Sequence, residues 1–286
     1  MNYKAVRLDR TSHFDRKTYW PDGKGAVVRA GDGDFTRTAD GCGPGIHSSP
    51  TLLHAVGWQV GPSIYLAVEP IDVIQETEAK TRSKAVKIDH WLTPEETDEL
   101  AGFKLWEANH PVNPLALKPK PFSEDELAEL VRQWAALRAS AVNSVLASVG
   151  ASVGASLRAY VWPSFVDSVG ASIRESVWAS AGASFVDSVW ASFGDSVWAY
   201  IGGLFPSVTS WKGAEHLGSD PWRPLLTLWY GGYLPSFDGE TWRLHAGPDA
   251  AIVWEETYEP AEQARSRTGI AEGQRGGANK HDAKGR

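Results

Sequence analysis

The chain has 286 residues, of which 42 % are hydrophobic and 22 % are charged, and this composition excludes a wholly disordered protein. The formal net charge of −7 at pH 7 argues against a dedicated nucleic-acid-binding protein, because phosphate contacts require a basic surface. The single cysteine, Cys42, cannot form an internal disulfide, and no apolar run follows Met1. We therefore expect a cytoplasmic protein that makes no contact with a membrane.

The N-terminal part, residues 1–108, is predicted to be a separate α+β domain. Short apolar runs predict strands, and a short helix is expected over residues 49–56 with Ser48 or Ser49 near its N-terminus. Prolines then indicate a linker over residues 109–122. The predicted strands are residues 3–8, 26–30, 63–68 and 84–88.

A glycine-rich segment, Gly-Cys-Gly-Pro-Gly-Ile-His-Ser-Ser at residues 41–49, is the most specific local pattern in this domain. A glycine-rich turn that leads into a strand and then a helix exposes backbone N–H groups. Such groups can bind a phosphate or the amide of a nicotinamide ring. Gly43 and Gly45 are therefore the candidate cofactor-binding residues.

Together with Arg7 on the first predicted strand, this segment resembles the dinucleotide cleft of ADP-ribosyltransferase-like domains. The resemblance implies that the cleft takes NAD or a phosphorylated RNA end, with Arg7 and His47 as candidate catalytic residues. The sequence departs from the family in two places. His47 stands where an aromatic residue is usual, and the later strand that should carry a glutamate, residues 84–88, has none. Glu76 and Glu78 lie upstream, on a predicted loop.

A four-residue repeat runs through sixteen units from Ser140 to Gly203, with Ser or Tyr first and an apolar residue second. On an α-helix this stripe drifts by about 40° per repeat and wraps around the helix within about nine repeats. A solenoid whose short sides each direct one apolar residue inward accommodates sixteen units. We therefore predict a mainly β solenoid over residues 140–203. A long helix or a helical hairpin with Ser and Ala as small packing residues is the alternative.

Both ends of this predicted solenoid carry segments suited to cap it. Residues 123–126 form a capping box, and helically spaced apolar residues follow, which predicts a capping helix over residues 123–139. Residues 204–259 are rich in tryptophan, and residues 241–246 with 251–256 predict a hairpin in a C-terminal cap. The remaining residues, 260–286, are polar and glycine-rich and predict a disordered tail.

The repeat resembles pentapeptide-repeat proteins in style, although its unit has four residues instead of five. Its Ser-Val-Trp-Ala and Phe-Val-Asp-Ser-Val runs, and the segment that follows up to His245, look like uncharacterised proteins of bacteriophages and their bacterial hosts. This resemblance implies kinship and no particular activity.

Two functions from different classes follow from these patterns. One is an interaction protein of phage or mobile-element type, which binds a protein partner through the solenoid and could also form a homo-oligomer. The other is a transferase acting on NAD or a phosphorylated RNA end in the N-terminal cleft. The first needs no cofactor, and no recognised metal-ligand spacing is present. Candidate partner contacts are tryptophans at the third repeat position, where glycine also occurs and where stacking between coils is the structural alternative: Trp162, Trp178, Trp190 and Trp198.

Overall fold

The computed structural model describes residues 1–36, 38, 42–59, 61–152, 170–171, 189–215 and 218–257. Its N-terminal part is built on a five-stranded antiparallel sheet in the order β1–β4–β5–β2, with β3 also paired to β5. The elements of this part are β1 (Asn2–Arg7), β2 (Val27–Arg29), β3 (Ile46–Ser48), α1 (Leu52–Val56), β4 (Ser63–Glu76) and β5 (Thr81–Trp91).

The four predicted strands and the short helix are confirmed, with changed bounds. β4 and β5 run well past their predicted ends because they pair with each other as far as Glu76 and Thr81. The N-cap of α1 is Thr51, whose side chain accepts a hydrogen bond from the backbone N–H of His54. Ser48 and Ser49 cannot cap the helix, because both belong to strand pairings.

The sheet curls so that the chain just after β3 meets the outer edge of β1. Two backbone hydrogen bonds join Tyr3 and Ser49, at 2.7 Å and 2.8 Å between nitrogen and oxygen. β1 and β3 are the ends of the paired series β1–β4–β5–β3, and this bridge connects the chain after β3 to β1. The curl brings the glycine-rich segment that precedes β3 next to β1.

The two faces of the sheet bury different clusters, as the alternation of side chains along a strand requires. Leu66 and Val68 of β4 pack with Trp20 and neighbouring strands in a small cluster. Tyr65 and Ala67, one residue out of phase, pack into a larger cluster that continues through the helices of the C-terminal half.

The described residues that follow β5 are mainly helical as far as Tyr230, and a three-stranded antiparallel sheet comes after them. The capping box at Ser123 is confirmed: its hydroxyl accepts from the Glu126 N–H at 3.3 Å, and its own N–H donates to the Glu126 carboxylate at 2.8 Å. The elements are α2 (Pro94–Ala101), α3 (Leu105–Asn109), a 3-10 helix (Pro114–Ala116), α4 (Glu124–Ser152), α5 (Val189–Gly203), α6 (Arg223–Tyr230), β6 (Tyr233–Phe237), β7 (Thr241–Ala246) and β8 (Ala251–Thr257).

The prediction of a mainly β solenoid is wrong. The described repeat units, residues 140–152 and 189–203, are α-helical and belong to α4 and α5, which pack against each other. Each described stretch holds only three or four units, so a drift of about 40° per repeat still leaves one broad buried stripe. The helical alternative therefore describes these residues, and the predicted end of the capping helix at residue 139 is replaced by continuation to Ser152. The other units, residues 153–169 and 172–188, lie outside the described residues.

The serines of the repeat face the interior beside the apolar second position. Ser148 and Ser192 are buried, and their hydroxyls accept hydrogen bonds from the backbone N–H groups of Lys212 at 2.7 Å and Phe237 at 3.0 Å. Ser196 donates to the Ser192 carbonyl of its own helix at 3.3 Å. A small polar residue at this position lets neighbouring backbone approach closely and satisfies its donors.

The C-terminal hairpin is confirmed as β7 and β8, with β6 added on the free side of β7. It packs beside helices and therefore does not cap a solenoid. Trp211, Trp222, Trp229 and Trp242 are all buried in the larger cluster. The predicted tail, residues 260–286, lies outside the described residues. Among the helices that the structure describes, none is long and apolar enough to cross a membrane.

Gly202→Ala tests the helical packing of the repeat. A Cβ at position 202 would lie 2.6 Å from Nε1 of the buried Trp222, so we expect a loss of about 1–3 kcal/mol in the free energy of unfolding. Gly194→Ala is the matched control, because it occupies the same repeat position in the same helix and its Cβ would meet nothing within 4 Å. We expect Gly194→Ala to stabilise by up to about 1 kcal/mol through helix propensity. Equal effects of the two changes in urea unfolding would contradict this packing.

Candidate ligand-binding site

A pocket of about 450 Å³ opens beside the outer edge of β1. It is lined by residues of β1, of the loop that follows it, of the glycine-rich segment and of the helix α1. A volume of this size is in the range of small-molecule sites. The curl of the sheet produces the pocket, because it places β1 and the glycine-rich segment side by side.

Aromatic rings form much of the pocket wall. Trp20 is buried, and its indole N–H donates to the hydroxyl of Ser12 at 3.0 Å, which fixes the plane of the ring. Trp58 and Phe14 also line the pocket and stay 45 % and 75 % exposed. Exposed aromatic rings at a pocket mouth offer flat apolar faces on which a planar ligand can stack.

Two lysines bring positive charge into the pocket. The Lys4 Nζ lies 5.8 Å from the ring centroid of Trp20, and burial lowers the pKa of Lys4 to about 8, against the opposing effect of Asp15. Lys80 is only 7 % exposed; its Nζ donates to the Cys42 Sγ at 3.0 Å and lies 5.1 Å from the ring centroid of Trp58.

Asp15 is the one acidic residue among the described residues that line the pocket. Burial disfavours its charged form, but hydrogen bonds from Thr18 and from the Lys17 N–H outweigh burial and hold the pKa of Asp15 below its usual value. The carboxylate is therefore charged and already bound by its own loop. Among the described lining residues, its single negative charge is smaller than the positive charge of the two lysines.

His47 lies on β3 and lines the pocket. Its Nε2 is 3.0 Å from the carbonyl oxygen of Gly43, which can only accept, so Nε2 carries the proton. Burial lowers the pKa of His47, and the charges of Lys80, Lys4 and Arg82 lower it further. The imidazole is thus neutral at pH 7, with the lone pair on Nδ1.

Arg82 on β5 holds the glycine-rich segment in place. Its guanidinium is 1 % exposed and donates to the carbonyl oxygens of Cys42 at 2.9 Å and Thr36 at 2.5 Å. Gly43 and Gly45 pack directly against this side chain, with φ of +134° and +139°. A Cβ at position 45 would lie 2.9 Å from the Arg82 Cγ. Both glycines are therefore required by the packing of Arg82, whether or not a ligand contacts them.

The structure brings together some of the sequence-predicted residues and separates others. Gly43, Gly45 and His47 line the pocket. Arg7 does not: it lies at the end of β1, where its Nε is 3.5 Å from a carboxylate oxygen of Asp9. Arg7 and His47 therefore do not share a cleft.

The first-strand cation in the pocket is Lys4, three residues before Arg7 on the same strand. Alternation along β1 places residues 4 and 7 on opposite faces, and only the pairing of Tyr3 with Ser49 decides which side meets the glycine-rich segment. Lys4, Lys80 and Arg82 were not among the residues predicted from the sequence. Arg82 could have been predicted from the lengths of β4 and β5, because a charged residue within a long paired strand must find buried partners.

The other sequence-predicted residues lie elsewhere. Glu76 ends β4, and neither it nor Glu78 lines the pocket. Trp198 is partly buried and packs against the larger core cluster. Trp162, Trp178 and the side chain of Trp190 lie outside what the structure describes. Within the described ranges, no group of three or more His, Cys, Asp or Glu side chains could hold a metal ion.

No protein-family model, curated protein or solved structure shows a significant match to this chain. The resemblances to ADP-ribosyltransferase-like domains and to bacteriophage proteins therefore stay predictions.

Gly45→Ala tests whether the glycines serve Arg82. The substitution combines a positive φ with the contact to the Arg82 Cγ, so we expect the free energy of unfolding to fall by about 2–5 kcal/mol without any ligand present. Gly25→Ala is the control: its φ is +83°, and its Cβ would meet nothing within 4 Å. It should lose only the conformational part, about 1–2 kcal/mol. Equal losses in urea unfolding would show that Arg82 does not restrict position 45.

The titration of His47 tests the electrostatics of the pocket. We expect its imidazole to titrate below the usual value of 6.5 in an NMR experiment, with His47→Asn used to assign the signal. Because the folded-state pKa is the lower one, the unfolded chain binds this proton more readily, and its protonation destabilises the fold as the pH falls below 6.5. A pKa at or above 6.5 would contradict a cationic, desolvated pocket.

Proposed function

We propose that the pocket binds an anion of the nucleotide class, which joins a planar ring to a phosphate, with NAD as the first candidate. The observation that carries the proposal is the charge of the pocket. Among the described residues that line it, Lys4 and Lys80 stand against one aspartate, in a chain whose net charge is −7. In an acidic protein, a cationic pocket attracts an anion more strongly than the acidic parts of the surface do.

Desolvation of Lys4 supports an anionic ligand on energetic grounds. Burial against Trp20 disfavours the ammonium form, and a bound phosphate would restore the interaction that water no longer supplies. Lysine is a compact point charge that suits phosphate oxygens. Lys4 is also well placed, because its strand is paired with β4 on one side and bridged to Ser49 on the other.

The aromatic wall supports a planar group in the same ligand. Trp58 and Phe14 are the exposed rings at the pocket, and Trp20 forms its buried side. Stacking of a base on an aromatic side chain contributes about 1–3 kcal/mol. An adenine or nicotinamide ring joined to a phosphate would use both the rings and the lysines.

The proposal is one of binding and includes no transfer step. The glutamates that the sequence analysis considered are not in the pocket, and Asp15 is held by its own loop. The other hypothesis, an interaction protein, depended on a solenoid that the described repeat units do not form. Trp198, the one candidate contact whose side chain is described, packs against the core.

A comparison of two positions on β1 tests the proposal. Calorimetry with NAD, ATP and adenosine should show binding of the two phosphorylated compounds and at least tenfold weaker binding of adenosine. Lys4→Gln should weaken NAD binding by about 10- to 100-fold, since a hydrogen bond to a charged group contributes about 1.5–3 kcal/mol. Arg7→Gln, on the same strand but outside the pocket, should leave it within about twofold.

Two results would overturn the proposal. One is the absence of any heat or thermal shift with millimolar NAD and ATP. The other is an equal loss of affinity in the Lys4 and Arg7 variants, which would place the nucleotide outside this pocket.

A further inference from the structure

We propose that Lys4 is a reactive amine, which condenses with an aldehyde that carries an aromatic ring and a phosphate. The proposal rests on the anion-binding pocket described above and adds a covalent step within it. Lys4 extends from a paired strand into the pocket, with its Nζ above the face of Trp20. Among the described residues, it forms no hydrogen bond and no ion pair, so its nitrogen is available to a ligand.

An amine attacks a carbonyl only in its unprotonated form. Burial lowers the pKa of Lys4 to about 8, so a larger fraction of this amine is unprotonated near neutral pH than of an exposed lysine. Asp15 opposes this effect, and the other charged groups that the structure describes there, Lys80 and the Arg82 behind it, are cations. Lys80 is the less suitable nucleophile, because its Nζ donates to the Cys42 Sγ.

The rest of the pocket selects the class of aldehyde. Lys80 supplies a buried positive charge for a phosphate, and Trp58 and Phe14 supply faces for a ring. An aldehyde without a negative charge gains nothing from Lys80. An anion without a carbonyl would bind and not react.

The condensation balances without any oxidant or reductant. The lone pair of the Lys4 Nζ forms a bond to the carbonyl carbon, and the carbonyl π electrons move to the oxygen, which takes up a proton. The nitrogen loses a proton, which gives the neutral carbinolamine. Protonation of its hydroxyl and departure of water leave a protonated imine, and release of the last N–H proton balances the proton that the oxygen first took up. His47 lines the same pocket with a lone pair on Nδ1, so it can accept the first proton that the nitrogen loses and return it to the leaving hydroxyl.

Pyridoxal 5′-phosphate is the probe, because it combines an aldehyde, an aromatic ring and a phosphate. The full-length protein is incubated with it, borohydride reduces any imine to a stable secondary amine, and peptide mass spectrometry locates the adduct. We expect labelling of Lys4 at least tenfold faster than of Lys24, whose side chain is largely exposed. Lys4→Arg keeps the charge and should abolish the fast adduct, whereas Lys24→Arg should leave it unchanged. Thermal unfolding of both variants verifies that they fold.

The outcomes separate this inference from the proposed function. Labelling spread over lysines according to their exposure would overturn the inference, even if NAD binds. Fast labelling of Lys4 without measurable NAD binding would support the inference and reject the nucleotide. Equal rates with pyridoxal and pyridoxal 5′-phosphate would overturn the role of the phosphate. Fast labelling of Lys4 that NAD slows would support both.

Discussion

The candidate site depends on the hydrogen bonds that the buried guanidinium of Arg82 donates to backbone carbonyl oxygens. Burial of a charge costs several kcal/mol unless hydrogen bonds replace its hydration. Here backbone carbonyls of Thr36 and Cys42 accept from it, and no carboxylate among the described residues pairs with it. The loop must therefore lie over Arg82, and Gly43 and Gly45 are the residues that allow the close approach. The glycine-rich wall of the pocket therefore lies where it does because its carbonyl groups replace the hydration of Arg82.

The same cation also contributes to the electrostatics of the pocket. Arg82, Lys4 and Lys80 all act on His47 and favour its neutral form. The chemistry proposed for Lys4 depends on the burial of its ammonium group, with Trp20 beside it, and on the paired strand that holds it.

In the helical part of the chain, small residues and not a buried charge determine how the segments pack. The repeat places serine next to an apolar residue on the buried side of α4 and α5, and the hydroxyls of Ser148 and Ser192 accept hydrogen bonds from backbone N–H groups of neighbouring segments. Gly202 has no side chain and therefore allows the ring of Trp222 to pack close to the backbone of α5. A further contact joins α5 to α3 and the segment after it: Tyr200 of α5 donates to the carboxylate of Glu107 at 2.8 Å and accepts from the Val112 N–H at 3.1 Å.

The sequence by itself determined some of the local elements of this protein. Alternation and capping residues predicted the first strands, the start of α4 and the C-terminal hairpin, because these signals depend only on near neighbours. Tertiary structure alone decided whether the four-residue repeat forms helices or a solenoid, since a stripe that drifts by about 40° per unit suits either until the packing partner is known. It also decided that Lys4 and not Arg7 enters the pocket, because the bridge between Tyr3 and Ser49 joins residues far apart in the chain. The role of Arg82 follows from the same curl of the sheet.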